Sequence, residues 1–316
     1  MTASRTGTSR PRRPAPPWVL VTELLTPPVR AAGDPRPGRD RAGAVGLVVA
    51  AVVSVQSGAA FAALLFPRAG ATGMVVLRLG IAALLLLVLC RPRLRGHDRA
   101  AWGHVVAFGV VLAGMNTLFY LAIERIPLGL AVTLEVLGPL VLAVASGRRV
   151  ADAVWALLAL AGVASLGQSG VERLDPVGVA LALAAGACWA GYIVLSARVG
   201  ARFPGSSGLA LAMTVAALAV LPLGLVTAGS ALLDPVVLGV GAAVAVLSSA
   251  LPYSLELRAL RRLPAATFGV LMSLGPAAAT VAGLVVLGQA LTATELLAVV
   301  LVVVASAGAV GSRRPA

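Results

Sequence analysis

Glu135 stands alone among apolar neighbours in IPLGLAVTLEVLGPLVLAVAS, residues 126–146, a stretch long enough to cross a bilayer. It lies about eight residues into that run, roughly 12 Å deep at ~1.5 Å per residue. An ionised side chain at such a depth costs about 2.5–3.5 kcal/mol on insertion scales. Removal from water favours the neutral form of any carboxylate, so the chemistry on offer is gain and loss of a proton. Arg78, midway along GMVVLRLGIAALLL, supplies a second reading: a structural ion pair that holds Glu135 ionised. Residue type alone allows either. Glu135 is a candidate substrate-binding and proton-coupling group, and Arg78 a candidate ion-pair or structural residue.

Other polar side chains fall inside apolar runs. Asn116 and Tyr120 in GMNTLFYLAIE are four apart, which puts them on one helix face. Gln56 and Ser57 lie in SVQSGAAFA, and Trp189 and Tyr192 in AGACWAGYIVL offer an aromatic wall. Tyr253 and Glu256 in ALPYSLELRAL are three apart, with Glu256 close enough to an arginine-rich gap for a surface ion pair or a site role. The candidate substrate-binding set is Gln56, Asn116, Tyr120, Glu135, Trp189 and Tyr253. Each amide or phenol in it also has a plainer use as an interhelical hydrogen-bonding group. Most of the 35 glycines are packing residues, such as Gly58, four before Ala62.

No catalytic constellation emerges. An intramembrane protease or acyltransferase needs a nucleophile with its base, or paired aspartates, at membrane depth. His97 and His104 flank a polar gap, and Asp98, Asp152, Asp175 and Asp234 all lie near span ends. Cys90 and Cys188 have no metal-ligand or disulfide spacing. The expectation is a protein that is not an enzyme, with no cofactor and no metal.

The elements that carry these residues follow from composition. Of 316 residues 59% are hydrophobic and 12% charged, with a mean hydropathy of +0.98, far from a soluble domain. Apolar runs cover about 44–66, 71–90, 101–122, 128–146, 150–168, 177–199, 206–228, 235–257, 264–287 and 292–311. The net charge of +13 comes wholly from arginine on the basic side, and its placement speaks for topology rather than nucleic acid. Gaps on one side hold Arg91, Arg93, Arg95, Arg99, Arg148, Arg149, Arg198, Arg202, Arg258, Arg261 and Arg262, with Arg313 and Arg314 at the end. The other side has only Arg68, Arg125 and Arg173. That bias places both termini in the cytoplasm. Residues 1–42, with eight prolines and eight arginines, read as a disordered cytoplasmic tail.

A repeat lies in the prolines. ERIPLGLAVTLEVLGPL (124–140) and RRLPAATFGVLMSLGPA (261–277) each open on a proline with a Gly-Pro twelve residues on: Pro127 with Pro139, Pro264 with Pro276. Five spans separate the copies, so they enter the membrane from opposite sides, the arrangement of inverted-repeat transporters. Pro139 and Pro276 are expected to kink their helices and free the carbonyls of Glu135 and Met272. The fold class expected is an all-α membrane protein of ten transmembrane helices in two five-helix inverted repeats, at 43–168 and 177–311.

SVQSGAAFAALLFP, LRLG, GMNTLFYLAIERIPLGLAVTLEVLGPL, GACWAGYIVLS and LPYSLELRALRRLPAATFGVLMSLGPA together resemble the EamA-type drug/metabolite transporters, most narrowly the inner-membrane threonine/homoserine exporters. The resemblance runs from about 44 to 311. It implies a multi-pass protein of the inner (plasma) membrane that exports small neutral amino acids or related metabolites by proton antiport and alternating access. Its partners would be a small-molecule substrate, protons and the lipid bilayer, with no nucleic acid. A broader exporter of drugs, aromatic solutes or nucleobases is the alternative within that superfamily, and a non-transporting scaffold the alternative outside it.

Overall fold

The computed structural model describes residues 37–92, 94, 96–146, 150–167, 175–203, 206–260, 262–263 and 265–311. Among them no strand occurs, and helices fill all ten apolar runs. In chain order these are α1 (Pro37–Ala63), α2 (Phe66–Cys90), α3 (Arg99–Ile123), α4 (Leu128–Glu135), α5 (Leu137–Ser146), α6 (Val150–Gly167), α7 (Pro176–Gly200) and α8 (Ser207–Ala228). A short 3-10 turn (Gly229–Leu233) leads to α9 (Pro235–Ala245), a π turn (Val246–Ala250) and α10 (Leu251–Leu260). The chain closes with α11 (Ala265–Met272), α12 (Gly275–Leu287) and α13 (Ala293–Gly311). Seven spans within these are long and apolar enough to cross a membrane. Leu128–Leu142, Val154–Ala164 and Pro235–Ser249 are shorter apolar helices. Residues 1–36 of the tail expected over 1–42 lie outside the described residues, and 37–42 are not disordered chain but the first turns of α1.

The aspartates near span ends are helix starts. Asp98 accepts from the Ala101 amide at 2.8 Å, Asp175 from Val177 at 2.8 Å, and Asp234 from Val236 at 2.7 Å. In the last two cases proline follows at the first helical position, where its missing N–H costs nothing. Asp175 also pairs with Arg125 at 2.8 Å, joining the α3–α4 turn to the start of α7. Gly70 at the head of α2 has φ +67, a left-handed conformation that lets the chain turn before the helix proper.

Helix contacts are built on small residues, as packing in a lipid environment requires. Gly73 of α2 meets Ala228 of α8, and Gly224 of α8 receives Val76 of α2. Gly109 of α3 lies against Val215 of α8, and Gly308 of α13 lies under the Trp155 ring of α6. The most extensive pairings are α3 with α7, α2 with α8 and α6 with α13.

Apart from the π turn between α9 and α10, two of the ten segments are broken, each just before a Gly-Pro proline. α4 gives way to α5 at Val136, three residues before Pro139, and α11 gives way to α12 at Ser273 and Leu274, just before Pro276. A proline withholds the amide that would bond the carbonyl four residues back, and each break falls within that turn. Pro264 lies outside the described residues.

Candidate functional site

A cavity of about 220 Å³ lies among α1, α2, α3, the α4–α5 break, α7, α8, the π turn, α10 and the α11–α12 break. Both helix breaks open onto it, so irregular backbone lines a cavity instead of facing lipid. Its floor and sides are largely apolar, contributed by residues such as Val52, Leu79, Leu112, Val132 and Met213.

The polar groups on this wall come from distant parts of the chain. Gln56, Asn116, Glu135 and Trp189 line it, and so do Arg78, Tyr192 and Glu256. Asn116 donates its amide to the Leu112 carbonyl of its own helix at 2.9 Å, which leaves its side-chain oxygen for another partner. Glu135 is the last residue of α4, held at the break. Tyr120 is placed differently from the rest of the expected set. It is fully buried behind the wall, packed on Phe119 and Phe66, and it accepts a hydrogen bond from Arg78 Nη1 at 3.3 Å. The Tyr253 side chain lies outside the described part of the molecule.

Arg78 and Glu135 share the cavity and are near enough for their charges to interact. Even so, among the described residues the one ion pair within 4 Å is Arg125–Asp175. The guanidinium instead lies 5.5 Å over the Tyr120 ring. A direct Arg78–Glu135 ion pair, one of the two readings of these residues, is not what the structure contains. The carbonyl freed by Pro139 is likewise not bare. Gly186 of α7 rests against the Glu135 carbonyl, and Gly138 rests against the backbone of Gly186. Two glycines thus bring the α4–α5 break into backbone contact with α7.

The π turn supplies polar atoms that the sequence reading passed over. Ser248 and Ser249 line the cavity, both about 7% exposed, and the Ser248 hydroxyl has no hydrogen-bond partner among the described residues. Pro252, also on the wall, cannot donate to the carbonyl four residues back, which belongs to Ser248. The strain is taken up as a π turn, in which the Leu251 amide bonds Val246. Ser54 of α1 steadies it by donating to the Leu247 carbonyl at 2.7 Å. The string SSALP in mid-run was the available signal. Turns of this kind recur at functional sites.

The histidines take no part in the cavity. His97 stacks on Phe203 with centroids 4.1 Å apart, and His104 sits against Arg202 and the Ala100 carbonyl.

Comparison with known proteins decides the family. The chain is 46% identical over 265 residues to the threonine/homoserine exporter RhtA of Escherichia coli strain K12, covering 83% of this chain and 89% of that protein. Residues 176–311 also match the EamA-like transporter family. The chain belongs to that family. The threonine/homoserine exporter RhtA of Salmonella typhimurium strain LT2 is 45% identical over the same length. As a family member with several apolar helices of spanning length, the protein is a multi-pass protein of the cell membrane that serves transport.

Proposed function

We propose that the protein is a secondary active exporter of small neutral amino acids of the threonine/homoserine type, or of related metabolites, exchanging substrate for protons by alternating access. The observation that carries this reading is Glu135 on the wall of a small mixed-polarity cavity, in a chain 46% identical to threonine/homoserine exporters. Pockets for drug-sized molecules run to about 300–1,000 Å³. A cavity near 220 Å³ favours a smaller solute and speaks against the broad drug-export alternative. Trp189 and Tyr192 on the wall keep an aromatic substrate as the second reading.

In this proposal the chain makes ten crossings, with α4–α5, α9–α10 and α11–α12 each counted as one. Both termini are cytoplasmic, as the arginine bias requires. Residues 43–168 and 177–311 form the two inverted halves. Packing supports the symmetry. Exchanging first-half segments for their second-half counterparts turns the α3–α7 contact into that of α9–α10 with α1. It turns the contact of α4–α5 with α7 into that of α11–α12 with α1, and leaves α2–α8 and α6–α13 unchanged. Glu135 and Met272, 137 residues apart like the paired prolines, meet at the same cavity. The carboxylate function is therefore asymmetric.

Protonation of Glu135 from outside competes with substrate arriving from inside. Proteoliposomes with an imposed pH gradient and radiolabelled threonine test this with Glu135→Gln against the native protein, both verified as folded and inserted. The variant should lose gradient-driven transport while keeping gradient-free exchange. Accumulation by the variant equal to that of the native protein would remove Glu135 from proton coupling. Competition of threonine uptake by homoserine but not by aromatic solutes separates the two substrate readings.

A further inference from the structure

We infer that Arg78 is the anchor for the carboxylate of the transported molecule, so that the cavity selects solutes with a free carboxylate beside their amine. The inference deepens the export reading and rests on it. An arginine inside an apolar bundle is costly unless its charge is answered. Arg78 is answered only in part. Of its five N–H donors, one reaches the Tyr120 hydroxyl, and the others have no partner among the described residues. Two carboxylates, Glu135 and Glu256, line the same cavity, yet neither comes within ion-pair distance of Arg78. Neither has a hydrogen-bond partner among the described residues.

Among its described lining residues the cavity thus holds one cation, Arg78, and two acids that stand outside ion-pair distance of it. A molecule that carries both signs of charge on adjacent carbons complements such a site. It uses Arg78 and one acid, and leaves the second acid to carry a proton. The guanidinium is also pre-oriented for the task. Tyr120 holds it by one edge and from beneath, and Phe66 and Phe119 fix Tyr120 at centroid distances of 5.9 and 6.0 Å. The opposite edge of the planar fork stays available for the two-point contact that carboxylates make with arginine. Loss of freedom on binding is small when the receptor group is already held.

Uptake into proteoliposomes of threonine, homoserine and threonine amide tests the inference. The amide keeps the amine and the side chain and lacks only the carboxylate. The native protein should transport threonine and homoserine and discriminate against the amide on the order of 100-fold, the cost of leaving a buried charge unmatched. Arg78→Gln should lose threonine transport and the discrimination together. Arg78→Lys, which keeps charge without the fork, should fall between. If Arg78→Gln does not fold, the native comparison alone decides. Native protein that carries threonine and its amide equally overturns the inference while the export reading stands. Native protein that moves neither threonine nor homoserine defeats the export reading and takes the inference with it.

Discussion

Replacing Gly186 with alanine addresses the contact that positions Glu135. A Cβ at Gly186 would sit 2.5 Å from the Glu135 carbonyl oxygen and 3.2 Å from its carbonyl carbon and Cα. Ordinary contact begins near 3.4 Å, so α7 and the α4–α5 break must part by about 0.9 Å. The opposing atoms are backbone and cannot turn aside as a flexible side chain would. Overpacking of this kind costs about 1–3 kcal/mol. The melting temperature should therefore fall by several degrees. Because the displaced residue is Glu135 itself, transport should fall by much more than stability, roughly 100-fold for a misplacement near 1 Å. Threonine flux in proteoliposomes and the melting curve of the purified protein measure the two effects. Gly46→Ala and Gly239→Ala serve as controls, since a Cβ at either meets nothing within 4 Å. Both should leave flux unchanged. Native flux and native melting in Gly186→Ala would refute the argument that backbone contact at this crossing sets the position of Glu135.

Tyr120→Phe removes the acceptor of the 3.3 Å bond from Arg78 but keeps the ring beneath it. It should cost about 1 kcal/mol of stability and weaken the concentration dependence of threonine uptake, whereas a native profile would show that Tyr120 does not hold Arg78. At Asp175, the Arg125 guanidinium and then the Val177 amide hold the carboxyl below the usual carboxylate range. A lowered folded-state pKa stabilises the fold above the ordinary value near ~3.9 and ceases to do so as pH falls through the folded-state value. Asp175→Asn, which keeps the helix cap, should melt slightly lower than the native protein at neutral pH and match it once pH has fallen below the lowered folded-state value. A difference that persists in acid would mean the cap, not the charge, was lost.

How far the sequence led depends on the kind of signal. Long apolar runs bounded by Asp-Pro or by arginine gaps placed the helices, because solvent and cap chemistry act locally and leave local marks. Gln56, Asn116, Glu135 and Trp189 fell on the cavity because a polar residue deep in such a run has few other places to go. Tyr120 shares a face with Asn116 by spacing. One turn further along, however, that face meets Phe66 and Arg78, a contact no spacing within α3 reveals. The carbonyl freed by Pro139 could be inferred, but its cover by Gly186 joins positions far apart in the chain. Ser248 and Ser249 were missed because the π turn alters the helical register that a regular period assumes.

The pairing of the helices bears on how the protein comes to be built. The broadest contacts, α2 with α8, α3 with α7 and α6 with α13, all join a helix before residue 168 to one after residue 175, while neighbours such as α1 and α2 touch little. During synthesis the early helices emerge well before the surfaces they will rest against. Until then Gly73, Gly109 and their neighbours present notches with nothing seated in them. The amino-terminal portion is therefore not a self-sufficient folding unit but a template awaiting its complement. The bilayer holds it as inserted, loosely associated rods until the later helices interleave with them.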